Sequence, residues 1–377
     1  MNILINVSNI NKGGGLQVAH SFIHEIRNNT QHKFNLVLSK ALSAQIQAEK
    51  FPNNFIFFTY SLQPTLLGSI RGENCYLKSL EEKIKPDIVF SIFSPTYWRP
   101  KCKHISGYAK PQYIYKNSPF FKDLSLKEKI KIKLKEIIHL SNINKCCDEL
   151  ITESLDVSKK LQEIFPEKKI NTVTNYYHQI YDNEKMWDKS IVLPPFDGVT
   201  ILTVSSNYPH KNLKCIEGVI KYLNKHYPEF KFRFVITIDS SELNIENQKI
   251  ISQIVFLSKV DILQCPYLYQ QADFMFLPTL LECFSASYPE AMRMKKPILT
   301  SDISFAKELC GTAAKYFNPM SSKDISESII FLSQNKNEQK KLIESGVRQL
   351  RKYDTFKQRA NKYLKIIEIN ETNNTRP

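Results

Sequence analysis

The sequence predicts an α/β protein built from two parallel-sheet domains, and three observations carry that prediction. The chain has 377 residues, more than one hydrophobic core usually organises and a good fit for two. Near the N-terminus an apolar run from Ile3 to Val7 leads into Asn11-Lys12-Gly13-Gly14-Gly15. A helical pattern from Leu16 to Arg27 follows, so strand, glycine turn and helix come in succession. Farther along, Phe274-Met275-Phe276-Leu277 ends at a Pro-Thr break. A loop, a helix opening at Ser287-Tyr288-Pro289-Glu290 and a second apolar run, Pro297-Ile298-Leu299-Thr300, come next. This is a βαβ unit, the building block of Rossmann-like sheets.

Composition narrows the class. Apolar content of 42% and charged content of 24% are ordinary for a soluble globular protein. The net charge of +15 favours anionic partners: phosphate groups, anionic lipid headgroups or nucleic acid. No nucleic-acid module or aromatic-basic repeat is present, so nucleic acid is not expected. The eight cysteines form no C-x-x-C pair and no histidine cluster accompanies them. Zinc is therefore not expected, and scattered thiols fit a reducing compartment. The N-terminus starts as a strand with no signal-peptide pattern. No stretch of 18 apolar residues exists; Phe51 to Ile70 lacks charge, but Pro52, Asn53, Asn54, Gln63 and Pro64 break it. The expected location is the cytoplasm, with peripheral association at the inner face of the cytoplasmic membrane left open.

The first domain is expected over residues 1–186. Phe34 to Leu38, Phe55 to Tyr60 and Pro86 to Ser91 read as strands. His104 precedes another, Ile105 to Ala109. Lys122 to Lys145 holds seven lysines against Asp123, Glu128 and Glu136. Leu126, Ile130, Leu134 and Ile137 recur at helical spacing, although Lys129 to Lys135 also alternates like a strand. Its Lys, Glu and Leu content favours helix. A basic amphipathic helix suits an anionic membrane surface; a solvated helix packed on its own domain is the other reading. Cys147 to Ser154 reads as a strand, then a helix, then a strand from Ile170 to Asn175.

Trp187 to Gly198, with Pro194-Pro195, reads as a linker opening the second domain, expected over 187–352. Val199 to Ser205 is a strand. Asn207 to Leu213 enters a helix with Leu213, Ile216, Val219, Ile220 and Leu223 on one face, placing Lys211 in its first turn. A cation there opposes the helix dipole, and both would be relieved by a diphosphate. Phe232 to Ile238 and Ile254 to Phe256 are strands. Tyr353 to Ile369 reads as a closing helix within 353–377, and Glu371 to Pro377 as a disordered tail.

The acidic loop offers chemistry. Glu282 and Glu290 are separated by seven residues, one in the loop and one in the first helical turn. The amides of Phe284, Ser285 and Ala286 lie between them and can receive a diphosphate. Glu290 can then accept from ribose hydroxyls and Glu282 from sugar hydroxyls. A second reading stands beside this one: Ser287 and Glu290 form an S-x-x-E capping box that merely ties off the helix.

This stretch resembles the E-x7-E signature of retaining GT-B glycosyltransferases, in glycosyltransferase family 4. The family pattern is roughly P-S-x-x-E-G-F-G-L-P-x-L-E-A-M-A-x-G-x-P-V. The chain keeps Pro278, Glu282, Phe284, Pro289, Glu290, Ala291, Met292 and Pro297. Glu308, Gly311, Ala313, Ala314, Phe317 and Pro319 match the downstream E-x-x-G-x-A-A-x-x-F-x-P. Two family glycines are Cys283 and Ser285 here, and a third is Lys296. Lys211 matches the lysine of G-R-x-x-x-x-K-N, whose arginine is Ser206, with His210 as a partial substitute. Pro86 to Ser91 and Cys147 to Ser154 are similar to family strands.

The resemblance implies a GT-B fold, two Rossmann-like domains facing an interdomain cleft, with the closing helix packed back on the first. It implies transfer of a sugar from a nucleoside diphosphate sugar with retention and no metal cofactor. Glu282 and Lys211 would act in catalysis. Glu290, Phe284, Ser285, Ala286, Ser206, His210, Gly14 and Gly15 would hold the donor, although Gly13–Gly15 by itself reads equally as a tight turn. His104 is the acceptor-side candidate, otherwise a strand-edge histidine. The implied acceptor is a glycan or a polyprenyl-diphosphate-linked glycan of bacterial surface polysaccharide synthesis, such as lipopolysaccharide. The departures at Ser206, Cys283 and Ser285 motivate the alternative of a degenerate GT-B protein that binds without turnover.

Overall fold

A computed structural model describes residues 1–11, 13–61 and 66–372. The chain divides into two compact units. The first comprises Met1–Ile114, Leu124–Asn175 and Asp354–Pro377, the second Tyr115–Asp123 and Tyr176–Tyr353.

The first unit holds a seven-stranded sheet. Its strands are β1 (Asn2–Val7), β2 (Lys33–Ser39), β3 (Phe55–Tyr60), β4 (Ile88–Ser94), β5 (Lys103–Tyr108), β6 (Glu149–Thr152) and β7 (Lys169–Thr172). Their order is β3-β2-β1-β4-β5-β6-β7. Every pairing is parallel. Both faces are covered, so the strands read as continuous apolar runs. Ile3, Ile5 and Val7 pack with Val18, Ala19, Phe22 and Ile23 of the Gly14–Glu25 helix. Leu4 points the other way, toward Leu77, Leu80 and Trp98.

The closing helix, Phe356–Thr372, belongs to this unit and runs two residues into the expected tail; Asn373–Pro377 lie outside the described residues. Tyr363 meets Phe22 and Phe90 edgewise or tilted, at centroid distances of 5.3 and 5.2 Å. Arg359 bonds Asn175 and Ser21, and Asn370 donates to Glu149 at 3.1 Å. The lysine-rich segment is a helix, Leu126–Cys146. A reciprocal cap decides this: Glu128 N–H donates to Ser125 Oγ, and Ser125 N–H donates to Glu128 Oε2.

The second unit holds six parallel strands: β8 (Val199–Thr203), β9 (Phe232–Ile236), β10 (Ile254–Phe256), β11 (Phe274–Leu277), β12 (Ile298–Ser301) and β13 (Ala314–Phe317). Their order is β10-β9-β8-β11-β12-β13. Ile201, Phe234, Phe276, Leu299 and Phe317 form its core with Ile216, Val219, Ile220 and Leu223 of the Cys215–His226 helix. Trp187 to Gly198 is irregular and is bonded along this unit. Asp188 N–H donates to Leu263, Leu193 N–H to Gln271, and Gln271 donates back to Ile191. No helix among the described residues is long and apolar enough to cross a membrane.

Gly107 is required by contact. The β4–β5 register shifts between Ser91 and Ser94, and a Cβ on Gly107 would lie 2.0 Å from the Ile92 carbonyl oxygen. A strand glycine at such a bulge lets two backbones approach. Gly107→Ala is expected to destabilise the first unit by about 1–3 kcal/mol, seen as an earlier urea transition; an unmoved midpoint would show that the bulge yields.

Candidate active site

The second sheet reverses its winding between β8 and β11. Strands β9 and β10 build out on one side, β12 and β13 on the other. The loops leaving the carboxyl ends of β8 and β11 separate here, which is where open parallel sheets bind ligands. The first loop carries Ser206, His210 and Lys211. The second carries Glu282, Phe284, Ser285 and Ala286.

The two loops are fastened together. Leu280 N–H donates to the His210 carbonyl at 2.7 Å. The Thr279 hydroxyl donates to the same carbonyl at 3.1 Å and lies 3.2 Å from Glu282 Oε1. Ser118 Oγ holds the Leu280 carbonyl at 2.6 Å. With the backbones so fixed, Lys211 Nζ sits 2.5 Å from Glu282 Oε1, and each side chain is only 13% exposed. A nearly buried ion pair of this kind is costly to break from one side, because the remaining charge is left without a partner.

Lys211 does not occupy the first turn of the following helix. Pro209–Lys211 is a separate 3-10 turn, Asn212 follows with φ 55°, and the helix begins at Cys215. Leu213 and Ile216 continue the helical spacing, which hides the break. Asn212 stabilises it by donating to the Pro319 carbonyl at 3.0 Å. His210 stacks on Tyr208, with ring centroids 5.6 Å apart and planes 5° from parallel. Its Nε2 is 3.8 Å from Glu282. Burial lowers the His210 pKa more than Glu282 raises it. A neutral imidazole supplies a hydrogen-bond dipole, not the full charge of the absent arginine. Ser206 is exposed, and its carbonyl accepts from Tyr208 N–H at 2.9 Å.

Glu290 is held differently. It lies in the Ser287–Arg293 helix, is 7% exposed, and accepts from the Tyr269 hydroxyl at 3.3 Å. Tyr181 is buried beside the same carboxyl, but its hydroxyl lies within hydrogen-bond distance of no partner among the described residues. Burial pushes Glu290 up to about 7; the Tyr181 and Tyr269 hydroxyls, and Lys211, pull it back down. The capping box is not formed. Ala286 is the N-cap residue, without a side-chain cap bond, and Ser287 Oγ faces the Val204 carbonyl at 3.5 Å. Phe284 meets Tyr353 edge-on at 5.8 Å. Cys283 and Ser285, which stand where family glycines are expected, are 4% and 5% exposed and packed inside the unit.

In the first unit the glycine turn also lies at a winding reversal, between β1 and β4. Gly13 has φ 73° and precedes the Gly14–Glu25 helix. A Cβ on Gly15 would press on Ile10 at 3.2 Å, whereas Gly14 faces open space. Asn9 ties the turn to the end of β4 through the Phe93 and Pro95 carbonyls, at 2.7 and 2.8 Å. His104 requires a correction. It is 0% exposed, with Nδ1 2.5 Å from the Cys146 carbonyl and Nε2 2.8 Å from Ser91 Oγ. Both ring nitrogens serve the interior of the sheet, so His104 has no surface to offer an acceptor.

Sequence reasoning missed Thr279, Tyr181 and Tyr269. None stands at a diagnostic spacing from Glu282 or Glu290, and tyrosines are frequent in this chain. Among the described residues, no group of three or more His, Cys, Asp or Glu side chains is placed to hold a metal ion.

Residues 188–349 match the family model described as "Glycosyl transferases group 1". The fold is GT-B. The family match supports glycosyl transfer as the class of reaction. Solved structures similar over nearly the whole chain carry the fold assignment. Sucrose-phosphate synthase from Thermosynechococcus elongatus is 11% identical with a TM-score of 0.70, covering 98% of each chain. Anabaena HepE in complex with UDP and glucose is 13% identical with a TM-score of 0.67, covering 98% of this chain and 99% of that one. WaaG, a glycosyltransferase involved in lipopolysaccharide biosynthesis, is 11% identical with a TM-score of 0.67, covering 97% and 99%. No curated protein matches the chain in sequence.

The Glu290 environment yields a stability test. Its carboxyl pKa is raised on folding, so its contribution is full below the ordinary carboxylate pKa and is lost as pH rises toward about 7. Glu290→Gln cannot ionise. The variant should therefore gain on the wild type between pH 5 and 8 by on the order of 2–3 kcal/mol, measured by urea unfolding of the second unit. Parallel curves at both pH values would mean that Glu290 is not strained by burial.

Proposed function

We propose that this GT-B protein transfers a sugar from a nucleoside diphosphate sugar to a glycan or lipid-linked glycan, with retention at the anomeric carbon. The observation that carries this reading is the Lys211–Glu282 pair at the winding reversal of the second sheet, with Glu290 buried in the next helix. A cation, an acceptor carboxylate and a second, enclosed carboxyl are the groups that a diphosphate, a sugar and a ribose need.

In this reading the donor diphosphate takes over the Lys211 ammonium. Glu282 then turns its freed oxygen to a sugar hydroxyl and orients the ring without attacking it. Glu290 holds the ribose, and its raised pKa lets the carboxyl donate as well as accept near neutral pH. The amides of Phe284, Ser285 and Ala286 face the diphosphate, with Ser206 and the neutral His210 ring at its edge. As the glycosidic bond to phosphate breaks, charge develops on the leaving diphosphate and Lys211 stabilises it. Gly14 and Gly15 are assigned to the donor side of the first unit. No divalent metal enters the scheme. The UDP complex of HepE favours a UDP-linked donor, and the description of WaaG favours an acceptor in surface polysaccharide assembly.

Calorimetry with UDP and GDP, on wild type and Glu290→Ala, tests the donor site. One nucleotide is expected to bind, with at least tenfold weaker binding to the variant. Failure of both nucleotides to bind would favour a degenerate binding protein. Lys211→Ala is expected to lower turnover by about 10²–10³, measured as acceptor-dependent release of nucleoside diphosphate, and EDTA should leave the rate unchanged. A metal-dependent rate, or release unaffected by Lys211→Ala, would overturn the scheme.

A further inference from the structure

The His210 ring holds a position that the Lys211–Glu282 pair does not require. It lies flat on the Tyr208 ring, with centroids 5.6 Å apart and planes 5° from parallel. Phe120 meets it edgewise at 6.5 Å. Its Nε2 stands 3.8 Å from Glu282 Oε1, the oxygen that Lys211 Nζ meets at 2.5 Å. The side chain is 29% exposed, so the ring borders both the interior and the open side of the loops.

Two of these contacts favour an imidazolium. A cation over a tyrosine face is attracted by the ring, and a carboxylate nearby attracts it too. Desolvation opposes the charge and is the larger influence, and the Lys211 ammonium opposes it further. Among the described residues, Glu282 and Lys211 are the charged groups that act on the ring; Tyr208 and Phe120 bring aromatic surface. In the free protein Lys211 and Glu282 neutralise each other, and the site calls for no further cation. A bound diphosphate upsets that balance, because it carries more negative charge than one ammonium can match. Once Lys211 turns to the phosphates, Glu282 loses its partner, and its charge adds to theirs beside the imidazole.

We propose that His210 takes up a proton from solvent as the donor diphosphate binds and becomes the second cation of the site, with Tyr208 positioning and stabilising its charged ring. This rests on the donor reading given above. Proton and donor are then reciprocal effectors, each strengthening the binding of the other. Charge developing on the leaving diphosphate meets two cations instead of one. The second exists only while a donor is bound, so the free protein does not carry an unmatched charge in a partly dry position.

Histidine-ring NMR on the full chain tests this, free and saturated with whichever of UDP and GDP it binds. The His210 signal is assigned by its loss in His210→Gln. The nucleotide should move the His210 titration up by about one pH unit or more. Tyr208→Leu should reduce that rise by roughly half a pH unit. The advantage of wild type over His210→Gln in nucleotide affinity should shrink about two- to threefold from pH 6.5 to pH 8; comparing the two proteins cancels the titration of the nucleotide itself. Observing the ring directly separates His210 from Glu290, whose carboxyl titrates near 7. A His210 titration that the bound nucleotide leaves in place, or an affinity ratio flat with pH, would overturn this proposal and leave the donor site standing. Failure of both nucleotides to bind would overturn the donor reading and this inference with it.

Discussion

The His210 carbonyl is the fixed point of the second unit's functional end. A parallel sheet that reverses its winding must open a gap between the loops of its two central strands. Here the gap between the β8 and β11 loops is bridged by Leu280 N–H and the Thr279 hydroxyl, both donating to that one oxygen. The bridge sets the spacing of Lys211 and Glu282, which are neighbours only because the loops cannot part. Ser118 and Asn212 extend the bracing to segments distant in sequence. One backbone bond and three side-chain-to-backbone bonds therefore brace the loops that carry the opposed charges.

Glu282 in the acidic loop and Glu290 in the helix that follows sit in different surroundings. Glu282 faces the Lys211 ammonium in a nearly buried position. Glu290 is enclosed by tyrosines and by the apolar body of its own helix, and desolvation dominates its titration. Burial and neighbouring groups thus distinguish two chemically similar side chains. The same logic bears on the residues that depart from the family pattern. Cys283 and Ser285 are absorbed into the interior and do not crowd the loop surface. Burial costs His210 its charge, and its main chain contributes more to the site than its ring.

Much of this was readable in the chain. The bounds of β3, β10 and β11 coincide with the runs read as strands from the sequence, because buried parallel strands need uninterrupted hydrophobic sequence. The Lys122 to Lys145 segment was ambiguous by pattern, since its lysines alternate while its aliphatics repeat at helical spacing. The Ser125–Glu128 cap and the buried inner face resolved it as a helix. Lys211 was misplaced by one structural element because helical spacing runs on through Asn212, and only the left-handed backbone there breaks it. His104 drew notice for its residue type, whereas its position in β5 sends it into the core.

The sequence by itself determined the two-unit α/β architecture, the acidic loop with Glu282 and Glu290, and Lys211 as the cation that matches the family lysine. These follow from local rules: apolar runs make buried strands, and turn residues end them. Only the tertiary structure decided that Lys211 meets Glu282, that Tyr181 and Tyr269 enclose Glu290, and that the aliphatics of the Leu126–Cys146 helix face outward. Each of those depends on contacts between segments far apart in the chain, or on which side of a helix the rest of the unit covers. Periodicity records that a helix has two faces, but packing selects the one that is buried.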